Sequence, residues 1–181
     1  MIKVKNLVKS FGSTTAVNNV SFNVSKGEVV GFLGPNGAGK TTTMRILTCL
    51  IPADQGSAAI AGFDVFHDSL QVREKVGYLP ENAPLYNDMT ITDFLTFMGR
   101  MRKIPNSQID DSIDKMIEIC GLKKELKKTI GTLSRGYRQR VGLAQSLIHN
   151  PDILILDEPT SGLDPTQIIE IRELIKEIGK E

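Results

Sequence analysis

Gly34-Pro35-Asn36-Gly37-Ala38-Gly39-Lys40-Thr41, continued by Thr42, follows directly on the apolar run Val29-Val30-Gly31-Phe32-Leu33. The run is rich in β-formers and reads as a strand. The residues after the loop read as a helix closed by Pro52, with Met44, Leu47 and Leu50 on one stripe and Ile46 beside it. Strand, G-x-x-x-x-G-K-[ST], helix is the phosphate-binding loop in the context its mechanism requires. Gly34, Gly37 and Gly39 let the backbone adopt conformations closed to residues with a Cβ and approach an anion closely. Backbone N–H groups from about Gly37 to Thr42 then point at a phosphate chain, helped by the positive end of the helix dipole. Lys40 supplies a full charge for the β- and γ-phosphates, and the Thr41 hydroxyl is placed to ligate Mg2+. The competing reading, a flexible glycine-rich turn with a chance Lys-Thr, does not account for a strand before it and a helix after.

The remaining composition sets the class. Of 181 residues, 40% are hydrophobic and 24% charged, which suits a soluble globular chain with one good core. Lys+Arg 22 against Asp+Glu 21 leaves a net charge of +1, so no basic field argues for nucleic acid. No stretch approaches the roughly 20 apolar residues of a membrane helix, and Met1 to Leu7 lacks the apolar core of a signal peptide. Cys49 and Cys120, each within an apolar helical pattern, read as buried helix residues rather than a disulfide or metal pair, implying a reducing, cytosolic compartment.

Taken in order, Ile2 to Leu7 alternates like a half-buried strand, Phe11-Gly12 is a turn, and Ala16 to Val24 is a second strand. Lys26-Gly27-Glu28 turns into the strand that feeds the loop. Strands so closely spaced suggest an antiparallel layer beside a parallel core. Ser57 to Ala61 and Val76 to Leu79 read as short strands, and Thr92 to Arg102 and Ser107 to Cys120 as helices, the latter with Ile109, Ile113, Met116, Ile117 and Cys120 on one face. Lys123 to Lys128 is a charged connector, read as a solvated face. Residues from about Leu85 to Asn150 therefore form a helical lobe inserted into an α/β core.

A second cluster of chemistry follows. Ile153-Leu154-Ile155-Leu156 is a continuous apolar run, as in a central strand covered on both faces, and it ends in Asp157-Glu158. Ligands of open α/β sheets sit at the carboxyl ends of strands, so these carboxylates arrive where phosphates would be. Asp157 then holds Mg2+, directly or through its shell, and Glu158 orients or deprotonates an attacking water. Upstream, Leu133-Ser134-Arg135-Gly136-Tyr137-Arg138-Gln139-Arg140 opens a helix with the apolar face Val141, Ala144 and Ile148. Ser134 is an N-cap candidate. Three arginines at the positive end of a helix dipole are unfavourable, which a nearby anion would relieve. A solvated basic turn explains them equally well.

With these motifs in this order, the sequence resembles the ATP-binding cassette (ABC) ATPases over essentially its whole length. The phosphate loop at Gly34 to Thr42, the signature at Leu133 to Tyr137, the acidic strand at Ile153 to Glu158 and the loop Ser161-Gly162-Leu163-Asp164 match in succession. The resemblance implies a P-loop NTPase α/β fold with an N-terminal antiparallel β layer, a mostly parallel core sheet and an inserted helical subdomain. It implies one domain over 1–181, with 1–84 and 151–181 as the α/β core and 85–150 as the helical subdomain and signature helix. ATP would be held by Asn36, Gly37, Ala38, Gly39, Lys40, Thr41 and Thr42, with Phe11 where the family stacks an aromatic, more often Tyr, on adenine. Ser134 and Gly136 would face the nucleotide of a second copy, or of a paired cassette subunit, across a head-to-tail dimer. Thr41, Glu81 and Asp157 would hold Mg2+, and Glu158 would be catalytic. ATP-driven closure would act on a transmembrane permease subunit, contacted by the helical lobe, from the cytoplasmic face of the membrane.

Three departures qualify the match. Arg135 and Tyr137 replace the third and fifth residues of Leu-Ser-Gly-Gly-Gln. Glu81, in Tyr78-Leu79-Pro80-Glu81, stands where the family has Gln; its oxygen can still ligate Mg2+. These substitutions resemble the ABC-2 type export branch. The switch histidine expected one strand after Glu158 is absent, since His67 and His149 both precede it, and the chain ends at Glu181 after a helix begun by Asp164-Pro165. This reads as a domain truncated before that strand. The expected function is the ATP-hydrolysing subunit of an exporter, with a nucleotide-binding fragment of little turnover as one alternative. A soluble cassette ATPase acting on DNA or ribosomes is the other, but the sequence has no coiled-coil heptad, second cassette or basic surplus. A kinase or GTPase would not carry Leu-Ser-Arg-Gly-Tyr.

Overall fold

Ile2–Phe11 forms β1 and Thr14–Val24 forms β2, paired antiparallel through a turn in which Gly12 takes a φ of 57°. The coordinates are a computed structural model that describes residues 1–179; Glu181, the end of the expected domain, lies outside them. Along β1 the buried residues run Ile2, Val4, then Leu7. The change of parity marks a bulge at Asn6, whose φ is 49°. Asn6 Nδ2 donates to Oδ1 of Asn19 (2.8 Å), itself left-handed. Gln55–Ile60 (β3) pairs antiparallel with β1, and Phe63–Asp64 (β4) with β3, giving the order β2-β1-β3-β4. Helix α1 (Lys40–Leu47) packs against β2 and β3, and α2 (Ser69–Lys75) against β4. These elements form one compact unit, from Met1 to Val76, and contain the expected antiparallel layer.

Two expectations fail here. The run Val29 to Leu33 forms no strand: residues 28–35 have no regular structure, and Val29 is 70% and Leu33 95% exposed. A strand exists only through a ladder partner, and no described segment pairs with this one. The helix after the loop ends at Leu47, well short of Pro52. Cys49 takes a φ of 58°, its N–H donating to Ile46 O (3.0 Å) and that of Leu50 to Arg45 O (2.9 Å). That double bond across a left-handed residue is a Schellman stop. It leaves Leu50 exposed and Cys49 outside the helix and only partly buried.

The second unit runs from Gly77 onward. β5 (Val76–Leu79) leads into it and pairs with β6 (Ile153–Leu156) in a two-stranded sheet. Four helices, α3 (Ile91–Met101), α4 (Asn106–Ile119), α5 (Arg135–Leu147) and α6 (Pro165–Ile178), share a core that includes Phe94, Leu95, Ile113, Val141, Leu143 and Ile171. α5 is wrapped more fully than a one-faced helix would be, with every residue from Val141 to Leu147 buried. Small residues permit this. A Cβ at Gly142 would meet Leu79 Cδ1 at 2.8 Å, and one at Gly77 would strike the Ser146 carbonyl. β6 is less enclosed than its apolar run suggests, since only Ile155 is fully buried. Cys120 is buried at the C-cap of α4. The basic connector folds into a 3-10 turn at Lys123–Glu125, where Lys128 pairs with Glu125 (2.7 Å). Among the described residues no helix is long and apolar enough to cross a membrane.

Candidate functional site

In the first unit the phosphate loop wraps its own lysine. Lys40 Nζ donates to the carbonyls of Gly34 (2.8 Å) and Pro35 (3.1 Å), drawing both ends of the loop around the ammonium. Gly37 and Gly39 both take a φ of 83°, a region that penalises any side chain. Gly39 is doubly constrained, because a Cβ there would strike the Ala16 carbonyl on β2. Gly39 O accepts from Thr43 N (2.8 Å) and Thr43 Oγ1 (2.9 Å), starting α1 without an acidic residue in its first turn. The N–H groups of Gly37, Gly39, Lys40 and Thr42 find no acceptor among the described residues. Orphan donors, a helix N-terminus without a carboxylate and a fixed ammonium suit a polyanion. Asn36 and Ala38 are exposed on the same loop, and Thr41 and Thr42 half-buried at the helix start.

Phe11 ends β1 and is 53% exposed, so it is no core residue. Lys9 Nζ lies 5.5 Å from its centroid and also pairs with Asp54 Oδ1 (2.8 Å). The Lys9 hydrogen bond, with a second from Ser10 N–H, holds the Asp54 carboxyl below its ordinary range.

In the second unit, the expected site residues fall on turns and caps. Ser134 Oγ caps α5 by accepting from Tyr137 N–H (3.3 Å). The three arginines separate. Arg138 Nη1 folds back to Leu133 O (2.7 Å), while Arg140 reaches away to Glu170 Oε2 (2.7 Å) and Cys120 O (3.1 Å). Arg135 lies over Gly162. Arg140 thus drops out of the choice between an anion and a solvated turn, which concerns Arg135 and Arg138. Gly136 is buried against Gln167, whose Cδ would be 2.9 Å from a Cβ.

Beyond β6, Asp157 is only 2% exposed, and its N–H donates to Leu79 O (2.9 Å), extending the β5–β6 pairing to the segment that leads to Glu81. Glu158 turns outward with a φ of 49° and is exposed. Its carbonyl accepts from Ser161 N–H (3.0 Å), and Asp164 Oδ1 caps α6 by accepting from Gln167 N–H (2.9 Å). Glu81 is exposed and, with Asn82, Asn87, Arg135, Arg138 and Gln139, lines a polar cleft of about 330 Å³. Sequence reading missed that cleft and the Arg135–Gly162 contact. Only the glycine at position 162, in a loop already singled out, hinted at the latter.

A family profile described as "ABC transporter" matches residues 17–161. The chain is 42% identical over 180 residues, 99% of its length, to an uncharacterized ABC transporter ATP-binding protein, YxlF, of Bacillus subtilis (strain 168), and spans 59% of that protein. It is 40% identical over 181 residues, its full length, to the bacitracin transport ATP-binding protein BcrA of Bacillus licheniformis, and spans 58% of it. A solved ATP-binding cassette, a dimer in a post-hydrolysis state bound to ADP and Pi, superposes with a TM-score of 0.86 at 26% identity, over 99% of this chain and 83% of that one. With motif order, loop geometry and fold in agreement, the chain belongs to the ABC transporter family.

Proposed function

We propose that this chain binds and hydrolyses ATP as the cassette subunit of an exporter, two copies or paired subunits closing around the nucleotide. The observation that carries the reading is the phosphate loop itself: Lys40 clasped by Gly34 and Pro35, two left-handed glycines, and the amides of Gly37, Gly39, Lys40 and Thr42 without an acceptor among the described residues. Lys40 and the amides from Gly37 to Thr42 bind the phosphates, Asn36 and Ala38 flank them, and Phe11 stacks on the base. Ser134 and Gly136 meet the nucleotide of the other copy. Glu158 takes the proton of the attacking water, or orients it. Thr41 of the first unit offers a hydroxyl, and Glu81 and Asp157 of the second offer carboxylates, oxygen donors of the kind a hard cation takes. Mg2+ on these residues supplies charge neutralisation at the phosphates.

The bacitracin transport ATP-binding protein supports a transport role, and the dimeric ADP-bound cassette supports paired copies. On this reading the chain is one cassette domain, with 85–150 as the helical lobe that meets a transmembrane permease at the cytoplasmic face of the membrane. The test is phosphate release from Mg-ATP at several protein concentrations, beside Glu158→Gln. A more than linear rise that vanishes in the variant supports a working dimer. Parental hydrolysis by Glu158→Gln would move catalysis elsewhere.

A second reading, a nucleotide-binding chain of little turnover, is favoured by residues 28–35, which hold the loop without a strand behind it. Bound ATP with no phosphate release at any concentration would select it.

A further inference from the structure

Within the second unit the signature turn touches the Ser161–Asp164 loop once and the first turn of α6, which that loop leads into, once. Gly136 packs on Gln167, and the Arg135 guanidinium covers Gly162, where a Cβ would fall on Cζ, Nη1 and Nη2 together. Three atoms of one planar group around one point mean that the plane, not an edge, faces the Gly162 backbone. Gly162 takes a φ of 66°. The guanidinium makes no hydrogen bond or ion pair among the described residues, so packing alone places it. Its neighbours in the sequence, Ser134 and Gly136, are the residues expected to meet a nucleotide, and Ser161 N–H is bonded to Glu158 O.

We propose that Arg135 is a positioning residue for the Ser161–Asp164 loop, its flat guanidinium and the bare Gly162 forming a matched pair that ties the signature turn to the segment carrying Glu158. The tie itself is a property of the fold; its consequence for hydrolysis rests on the reading proposed above. A guanidinium is weakly hydrated on its faces and stacks on planar groups, whereas an ammonium keeps its water and has no face to offer. Lysine therefore cannot replace it. Arg135 touches no reacting atom. It acts by fixing the loop that Ser161 N–H ties back to the Glu158 carbonyl.

The test uses the full chain without nucleotide, followed by amide hydrogen exchange, as the parent, Arg135→Ala, Arg135→Lys, Gly162→Ala and the double variant Arg135→Ala/Gly162→Ala. Both Arg135 variants should speed exchange across residues 158–164 by about three- to tenfold and leave residues 34–42 unchanged. In the double variant the clash between the two groups is gone, so its acceleration should fall short of the product of the single effects by about threefold or more. Unchanged exchange at 158–164 in Arg135→Ala would overturn the proposal. So would multiplying effects, or full retention by Arg135→Lys, which would make charge rather than shape the cause. Should Gly162→Ala not fold, the comparison of Arg135→Ala with Arg135→Lys still decides. In ATPase assays Arg135→Ala should lower kcat with KM for ATP held. A chain whose ATP binding survives Lys40→Ala would remove the functional reading and leave the exchange result standing.

Discussion

Glu158 combines a strained backbone with a side chain that holds nothing in place, so removing the side chain should make the protein more stable while ending catalysis. Its φ of 49° lies in the left-handed region, which costs a residue with a Cβ about 1–2 kcal/mol. The carboxylate is exposed and makes no hydrogen bond or ion pair among the described residues, so truncation forfeits little in the folded state. Glycine relieves the strain but frees the unfolded chain, which offsets about 0.4–1 kcal/mol. Glu158→Gly should therefore gain roughly 0.5–1 kcal/mol. At about 2–4 °C per kcal/mol for a chain of this size, the unfolding midpoint should rise by about 1–4 °C. Glu158→Ala and Glu158→Gln keep the Cβ and the strain, and should melt with the parent. The assay is circular dichroism melting of the four proteins at one pH and ionic strength, with ATP binding measured alongside. All four should bind nucleotide, and only the parent should turn it over. If alanine stabilises as much as glycine, the gain comes from removing a carboxylate next to Asp157, and the strain argument fails.

Lys40→Ala removes both the charge offered to the phosphates and the clasp on Gly34 and Pro35; ATP binding by fluorescence titration should fall at least about a hundredfold, the weight of a charged, hydrogen-bonded contact. Gly39→Ala meets a φ of 83° and the Ala16 carbonyl at once, so a loss of at least about 2 kcal/mol in urea unfolding is expected. Burial pushes the Cys120 thiol up to about 12, with Arg140 pulling it part of the way back, whereas partly buried Cys49 is raised less. Iodoacetamide at pH 8 should thus label Cys49 first and reach Cys120 only on unfolding. Because the folded thiol ionises above its ordinary 9.0, its contribution to stability is intact below pH 9 and declines as pH rises toward 12, readable as a falling urea midpoint. The sign reverses for Asp54: its depressed carboxyl favours the fold above its ordinary 3.8 and loses that advantage as pH drops through the lower folded value, an effect Lys9→Ala should weaken but not abolish in acid unfolding curves, since the Ser10 N–H bond remains.

What the sequence made legible was whatever a few neighbouring residues decide. Ser134 and Asp164 read as caps because a cap is a hydrogen bond three residues long, and both are made. Gly37 and Gly39 of the phosphate loop read as left-handed for the same reason, while Gly34, read with them, takes no positive φ. Legibility failed where the decision lies elsewhere in the chain. Val29 to Leu33 has the residues of a strand, yet strand formation needs a partner, and apolar composition cannot supply one. The helix after the loop stops at Leu47 because two carbonyls are recaptured just beyond it, by the N–H groups of Cys49 and Leu50, although no glycine announces it. Counting apolar residues on α5 found one face and missed Gly142, and Gly77 opposite the Ser146 carbonyl, whose missing Cβ atoms let β5 close over another. Arg135 belongs to this second class. Read alone, it is a cation at the wrong end of a helix dipole; set over Gly162 it becomes half of a steric pair, because whether a side chain is solvated or structural depends on what the fold brings beneath it.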